Sequence, residues 1–407
     1  MKPIALGTEN PNQKMVNCLV GTSREWVVVA LVIASAGCAG SSNSNSASAG
    51  DSTGGTSTTG GTTSTAGTAN SGGTGGASVT TPQAFGRLHI VGNQIVDSNG
   101  NRASLNGFCL GEVISVDRSG HWNEDLFRNA AAWGAKLLRV PINPATFRMG
   151  SDVVFGYLDQ AVDWAKKYGL YISIDWHVIG NLPQGIFFYA DTSTTLDETV
   201  QFWTQTSRRY ANETTVAFYD IYNEPAAIEW QGGSWSFADW KSTADQLVTI
   251  VQTESPEAIP LVAGLDFAYD LSPGGSQPFA SQNIALSVHP YPGNTTVKPR
   301  STGWDKAFGY LSDTYPIMLT EVGFDPCDTI QPDSYKAGVE FGRDILSYAN
   351  DKGMVWTAFV FFNGTGWPMP LFSDWQNFTP TTSGAFFRDV LLGTPIDQAG
   401  NGDAVCP

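Results

Sequence analysis

Ala217-Phe218-Tyr219-Asp220-Ile221-Tyr222-Asn223-Glu224-Pro225 decides how this chain is read. An apolar, aromatic-rich run ends abruptly in an amide, a carboxylate and a proline. Such a run bounded by turn residues reads as a strand buried on both faces, the kind found in parallel sheets. A second run, Pro316-Ile317-Met318-Leu319-Thr320, likewise ends in a carboxylate, Glu321. Two glutamates at the C-terminal ends of buried strands stand where parallel α/β barrels place their chemistry.

Working outward, six more short apolar runs alternate with amphipathic segments. The eight expected strands cover residues 104–107, 136–140, 170–175, 217–222, 261–264, 285–288, 316–320 and 355–360. Helices are expected over 124–133, 157–168, 196–210, 235–253, 334–350 and 383–392, with Gly134 and Gly169 as terminators. Strands alternating with helices imply a parallel sheet with crossovers. The expected fold is therefore α/β, a (β/α)8 TIM barrel over residues 83–407. A doubly wound open sheet is the alternative, but no Gly-rich phosphate loop follows the first strand. Two alternating runs around Gly92-Asn93, from Leu88 to Asp97, read as a β-hairpin that would plug the barrel bottom.

The N-terminal part has another character. Arg24 precedes the apolar run 26–34 and the small residues Ser35-Ala36-Gly37-Cys38. That order reads as a secretory signal over residues 1–38, too short to span a bilayer as a mature helix. Met15 is a candidate start. The segment before Cys38 resembles a bacterial lipoprotein cleavage site, which would leave Cys38 lipidated; ordinary cleavage and full secretion is the other outcome. Either implies an extracellular or cell-surface protein, outer-membrane-anchored in the first case. Residues 39–82 are almost wholly Ser, Thr, Gly, Ala and Asn, a composition expected to form a disordered linker. A tether of ~40 such residues has a root-mean-square reach of roughly 35 Å.

The chain has 407 residues and a net charge of −16, from 22 Lys+Arg against 38 Asp+Glu. An acidic surface repels nucleic acid and anionic lipid, and argues against polyanionic substrates. Neutral polymers remain. Of the five cysteines, Cys109 beside the first strand is expected to be a buried free thiol, and Cys327 and Cys406 to pair. The four histidines form no zinc motif, so no metal or cofactor is expected.

Ionisable residues gather at the strand ends. Arg139 interrupts the apolar run Leu137-Leu138-Arg139-Val140-Pro141 and needs a carboxylate partner, for which Glu321 is the candidate. His177 closes Asp175-Trp176-His177, and His289-Pro290-Tyr291 follows the sixth strand. Tyr291 is placed to hydrogen-bond Glu321, and His289 to orient a carboxylate or hold a sugar hydroxyl. Asn223 is placed to bond a sugar 2-hydroxyl.

These stretches together resemble glycoside hydrolase family five, the cellulases and mannanases of the retaining (β/α)8-barrel clan. Leu138-Arg139-Val140-Pro141, Ile174-Asp175-Trp176-His177, Tyr222-Asn223-Glu224-Pro225, Val288-His289-Pro290-Tyr291 and Leu319-Thr320-Glu321-Val322-Gly323 occur in the family's order. The resemblance implies Glu224 as acid/base and Glu321 as nucleophile, supported by Arg139, His177, Asn223, His289 and Tyr291. It implies an endo-acting β-1,4-glucanase of cellulose type; a β-mannanase or other β-glycanase shares the same chemistry. A surface protein that binds carbohydrate without cutting it is the reading from a different class, and retention of both glutamates with Arg139 speaks against it. The eighth strand departs from the family pattern, with Phe359 where a Trp often floors the reacting sugar and Trp367 nearby as a substitute. Among the rim aromatics 121–122, 187–189, Trp230, Trp235, Trp304, Trp367 and Trp375, the expected sugar platforms are Trp367 and Trp122. Residues 181–194 form a candidate cleft wall. The partner is then a neutral β-linked polysaccharide or oligosaccharide, acted on by a monomer.

Overall fold

In the computed structural model the described residues are 86–327, 335–363 and 369–401. The expectations for the leader, Cys38 and the linker lie outside them, as do Trp367 and Cys406. Eight parallel strands close on themselves: β1 (Gly107–Leu110), β2 (Leu137–Ile142), β3 (Tyr171–Trp176), β4 (Val216–Asp220), β5 (Ile259–Ala263), β6 (Ala285–Val288), β7 (Ile317–Val322) and β8 (Val355–Phe361). Each pairs with its sequence neighbours, and β8 pairs with β1 to complete the ring. Helices between successive strands bury one face each, as in Glu124–Ala132, Ser151–Tyr168, Leu196–Tyr210 and Phe237–Glu254.

Local chemistry sets the ends of these elements. The Asn123, Thr195 and Ser236 side chains cap helix N-termini by accepting from backbone N–H groups. Gly169 ends the helix Ser151–Tyr168 in the left-handed conformation at φ 72°. The hairpin pairs His89–Val91 with Gln94–Val96 around Gly92. Its Leu88 and Ile95 pack against Leu137, Ala217, Ile259, Ala285, Met318 and Val355, all at or next to the starts of barrel strands. The hairpin is thus the bottom plug, and the chemistry is left to the other end.

Two strand positions differ instructively from expectation. The first strand lies three residues later than 104–107, because Asn106 is occupied at the barrel edge: its carbonyl accepts from Lys136 N, and its Oδ1 from Trp356 N. The seventh runs through Glu321 to Val322 instead of stopping at Thr320. A register shift against β8 between Leu319 and Val322 marks a bulge, which adds a residue and re-aims side chains. Cys109 is the buried free thiol expected, and Cys327 is disulfide-bonded.

Gly107 is the tightest point of the ring. A Cβ there would sit 1.9 Å from the Leu137 carbonyl oxygen. Gly107→Ala must therefore push β1 from β2, and should destabilise the fold by about 1–3 kcal/mol or more. Denaturant unfolding checks this; a wild-type midpoint would show that the ring yields there.

Candidate active site

Arg139 is wholly buried on β2 and spends every guanidinium nitrogen. Nε donates to Asp220 Oδ2 at 2.9 Å, Nη1 to Glu321 Oε1 at 2.8 Å, and Nη2 to Asn223 Oδ1 at 2.7 Å. Asp175 Oδ1 stands 3.0 Å from Nη2, and Cys109 Sγ 3.5 Å from Nη1. Glu321 is thus held as Arg139's character predicted, and two further acids share the cation. Asp175 in turn binds His177 Nδ1 at 2.7 Å. Burial alone would push His177 down, but the charge of Asp175 and this hydrogen bond raise it above its ordinary value. Burial pushes Asp220 up to about 7, with Arg139 opposing.

Tyr291 donates to the other oxygen of this carboxylate, Glu321 Oε2, at 2.7 Å. Its ring meets Tyr335 edge-on at 4.8 Å and Phe359 at 6.5 Å. Phe359 is therefore a wall beside Tyr291, near the reacting carboxylate. Asn223 and Glu224 continue beyond β4 and are pinned to the extension of β3. Asn223 N bonds Trp176 O at 3.1 Å, and Glu224 N bonds Val178 O at 2.9 Å. With its Oδ1 taken by Arg139, Asn223 keeps a buried Nδ2 that has no partner among the described residues. An amide donor in that condition is suited to a substrate oxygen.

Glu224 Oε1 lies 3.0 Å from His289 Nδ1. One donor atom from each of Glu224, Glu321 and His289 falls within 4.8 Å of the others. Glu224 is raised well above the usual carboxylate range, first by burial and next by the charge of Glu321. His289 is pushed well below its ordinary value by burial, Arg139 and His177, so its ring is neutral. The two carboxyl groups therefore differ in kind: one is clamped by a guanidinium and a phenol, and the other faces it with its ionisation opposed by burial and by that neighbour's charge. Among the described residues this trio is the set of donors that converges, and both Glu321 oxygens are already occupied by hydrogen bonds.

The aromatic expectations divide. Trp122 is a correction: it is 8% exposed, gives its Nε1–H to Gln160 Oε1, and packs against Phe127, Tyr157 and Trp164. A ring enclosed on those sides is core and offers no sugar platform. Trp235 and Trp304 are buried likewise. His121, however, stacks on Trp375 at 4.2 Å with 8° between ring planes, joining the β1 and β8 loops. Trp230, 52% exposed, lies parallel to Phe267 with centroids 6.1 Å apart, and Phe188 stands edge-on to both. Beside them an open pocket of about 400 Å³ is lined by Phe187, Phe188, Tyr189 and Gln231, within the expected cleft wall. Sequence reasoning missed Phe267, which sits on a turn whose only warning is Gly264. It also missed Asp220 as a second acid for Arg139, although a carboxylate inside an apolar strand is a visible signal.

A closed parallel barrel with two facing carboxyl groups at its C-terminal mouth defines a site of glycosidase type. Comparison with known proteins agrees and is more specific. Residues 96–364 match cellulase, glycosyl hydrolase family 5, and the chain belongs to that family. The β-glucanase SdGluc5_26A of Saccharophagus degradans, solved in complex with cellotetraose, is 33% identical with a TM-score of 0.73, covering 76% of this chain and 94% of that one. Endoglucanase E-5 of Thermobifida fusca is 24% identical over 255 residues, 60% of this chain but only half of that protein's length. An endoglucanase of Paenibacillus polymyxa is 24% identical over 58% of this chain and 71% of its own.

Glu321→Gln removes the charge that opposes ionisation of Glu224. The Glu224 midpoint should then fall towards the ordinary carboxylate value in a carbon-13 NMR titration. An unmoved midpoint would mean that the two groups do not sense each other.

Proposed function

We propose that this protein is a retaining, endo-acting β-glucanase that cleaves β-1,4-linked glucan by double displacement. The carrying observation is the separation of the carboxyl groups, with facing atoms within 4.8 Å. Retaining enzymes hold theirs ~5–5.5 Å apart, whereas inverting enzymes need roughly 6.5–9.5 Å to admit water between. In the first step a Glu321 oxygen bonds the anomeric carbon while the bond to the leaving oxygen breaks and takes the Glu224 proton. In the second, water attacks that carbon, passes a proton to Glu224 and releases Glu321. Once Glu321 is esterified its charge is gone, the pressure on Glu224 relaxes, and the same group can act as base.

Glucan as substrate draws support from the cellotetraose bound by the S. degradans β-glucanase. The acidic balance suits a neutral polymer. The first 38 residues support export, with Cys38 as the proposed lipid anchor and the following linker as a tether. The Phe188–Trp230–Phe267 cluster lies on loops after β3, β4 and β5, on the Glu224 side, and is proposed to receive the leaving-group sugars. His121–Trp375 would line the opposite side.

A 2-deoxy-2-fluoro cellobioside bearing a good leaving group should trap the first intermediate on Glu321, read by peptide mass spectrometry. A label on any other residue would overturn the assignment. Trp230→Ala should cut kcat/KM on cellohexaose by about tenfold while changing an aryl β-cellobioside by less than about twofold, since the aryl group bypasses the leaving-group wall. Equal losses on both would remove Trp230 from that wall.

A further inference from the structure

The acid Glu224 needs its proton on a particular oxygen, and the groups behind His289 decide which. The His289 ring is buried between two partners: Nδ1 is 3.0 Å from Glu224 Oε1 and Nε2 is 3.0 Å from Thr320 Oγ1. Thr320 Oγ1 in turn hydrogen-bonds Ser287 Oγ. Ser287 and Thr320 are both buried, on the adjacent strands β6 and β7. Thr320 enters this chain while its neighbour Glu321 faces Arg139 and Tyr291, so successive side chains of β7 both serve the site. The bulge at that position reconciles this with strand alternation.

A neutral imidazole has one N–H, so the chain can run in two directions. In the first, Ser287 O–H donates to Thr320, Thr320 O–H donates to His289 Nε2, and His289 Nδ1–H donates to Glu224 Oε1. Every hydrogen then finds an acceptor. In the second, Nε2–H donates to Thr320 and Thr320 donates to Ser287, whose own hydrogen has no acceptor among the described residues. That arrangement also turns the bare Nδ1 lone pair towards Glu224, where it would hold the acid's proton away from substrate. It would further place that lone pair 3.7 Å from the Glu321 carboxylate. Buried donors are satisfied and like charges kept apart only in the first direction.

We propose that Thr320, oriented by Ser287, is a positioning residue that holds His289 as its Nδ1–H tautomer. Glu224 Oε1 is thereby committed as an acceptor, and the transferable proton is kept on Oε2, the oxygen free to meet the glycosidic bond. The inference rests on the reading of Glu224 as acid/base. The same N–H stabilises the Glu224 carboxylate when it acts as base. Accepting a hydrogen bond at Nε2 strengthens donation at Nδ1. The other groups facing Glu224 are Glu321, Arg139, Asp175, Asp266, Tyr291 and Tyr335, and none of them touches Thr320 Oγ1.

Nitrogen-15 spectra of the wild-type imidazoles, four in all, test the tautomer without recourse to activity. The expected result is a protonated Nδ1 and a bare Nε2 on His289; the reverse overturns the proposal. Thr320→Val should lower kcat by about tenfold or more, part of the 10²–10⁴ that positioned acid–base catalysis supplies, with KM changed by less than about twofold. Its alkaline limb should move to higher pH, because the weakened donor no longer favours the Glu224 carboxylate. Thr320→Ser restores the hydroxyl and should stay within about twofold of wild type in kcat. A folded Thr320→Val enzyme with wild-type kcat and pH profile, or a Thr320→Ser enzyme as impaired as the valine variant, would refute it. A wild-type protein that cleaves neither glucan, mannan nor an activated aryl β-glycoside would instead refute the acid/base reading, and the spectra would still judge the hydrogen-bond chain alone.

Discussion

One buried guanidinium organises this molecule. Arg139 on β2 binds Asp175 on β3, Asp220 on β4, Asn223 just beyond it, and Glu321 on β7 across the mouth. Its planar fork fits acceptors at fixed angles, which a lysine could not reproduce. A buried charge is costly unless fully paired, and removing one partner of such a set typically costs about 3–5 kcal/mol. The barrel must therefore close with strands two, three, four and seven in one register, or leave charges stranded. Catalytic geometry and folding specificity are the same constraint here.

The number of cations also fixes where protons reside. Arg139 stays charged beneath the cleft, and the charge of Asp175 raises His177 against the opposing effect of burial. Asp175, Asp220, Glu321 and Glu224 supply four carboxyl groups around them. Burial raises Asp220, with Arg139 opposing, and burial together with the charge of Glu321 raises Glu224. Glu321 receives a hydrogen bond on each oxygen, from Arg139 and Tyr291. The two glutamates thus differ in which of them the guanidinium reaches. Nothing intrinsic to the two glutamates distinguishes them.

How much of this could be read from residues alone depends on the range of the interaction. The strand runs were legible because burial on both faces demands continuous apolar sequence, as in Leu261–Ala263 or Ile317–Leu319. The pairing of Arg139 with Glu321 was legible because a charge in an apolar strand requires an acid. Strand ends were less so: Asn106, just before β1, bonds Trp356 of β8 and Lys136 just before β2, and the bulge at Thr320–Glu321 has no local sequence mark. Trp122 misled because its enclosing partners, Tyr157 and Trp164, come from a helix about forty residues on. A tryptophan after a strand looks the same whether a helix later covers it or leaves it bare.

That contrast separates the reaction from its substrate preference. The reacting groups sit on strands or their direct extensions, locked by the ring. The exposed aromatics sit on loops, and the β5 loop is the most constrained of these: Asp266, Phe267 and Ala268 all have φ near +60°. Three consecutive non-glycine residues in the left-handed region persist only where their surroundings over-determine them. Here the Leu265–Asp270 bridge closes the turn, and His289 N donates to Ala268 O at 2.9 Å. The backbone of His289, whose ring contacts Glu224, therefore also anchors the turn that presents Phe267 to Trp230. Moving that turn would shift His289, and with it the group that faces Glu224. Loops elsewhere on the rim can change what the cleft accepts, but this one is tied to the chemistry it serves.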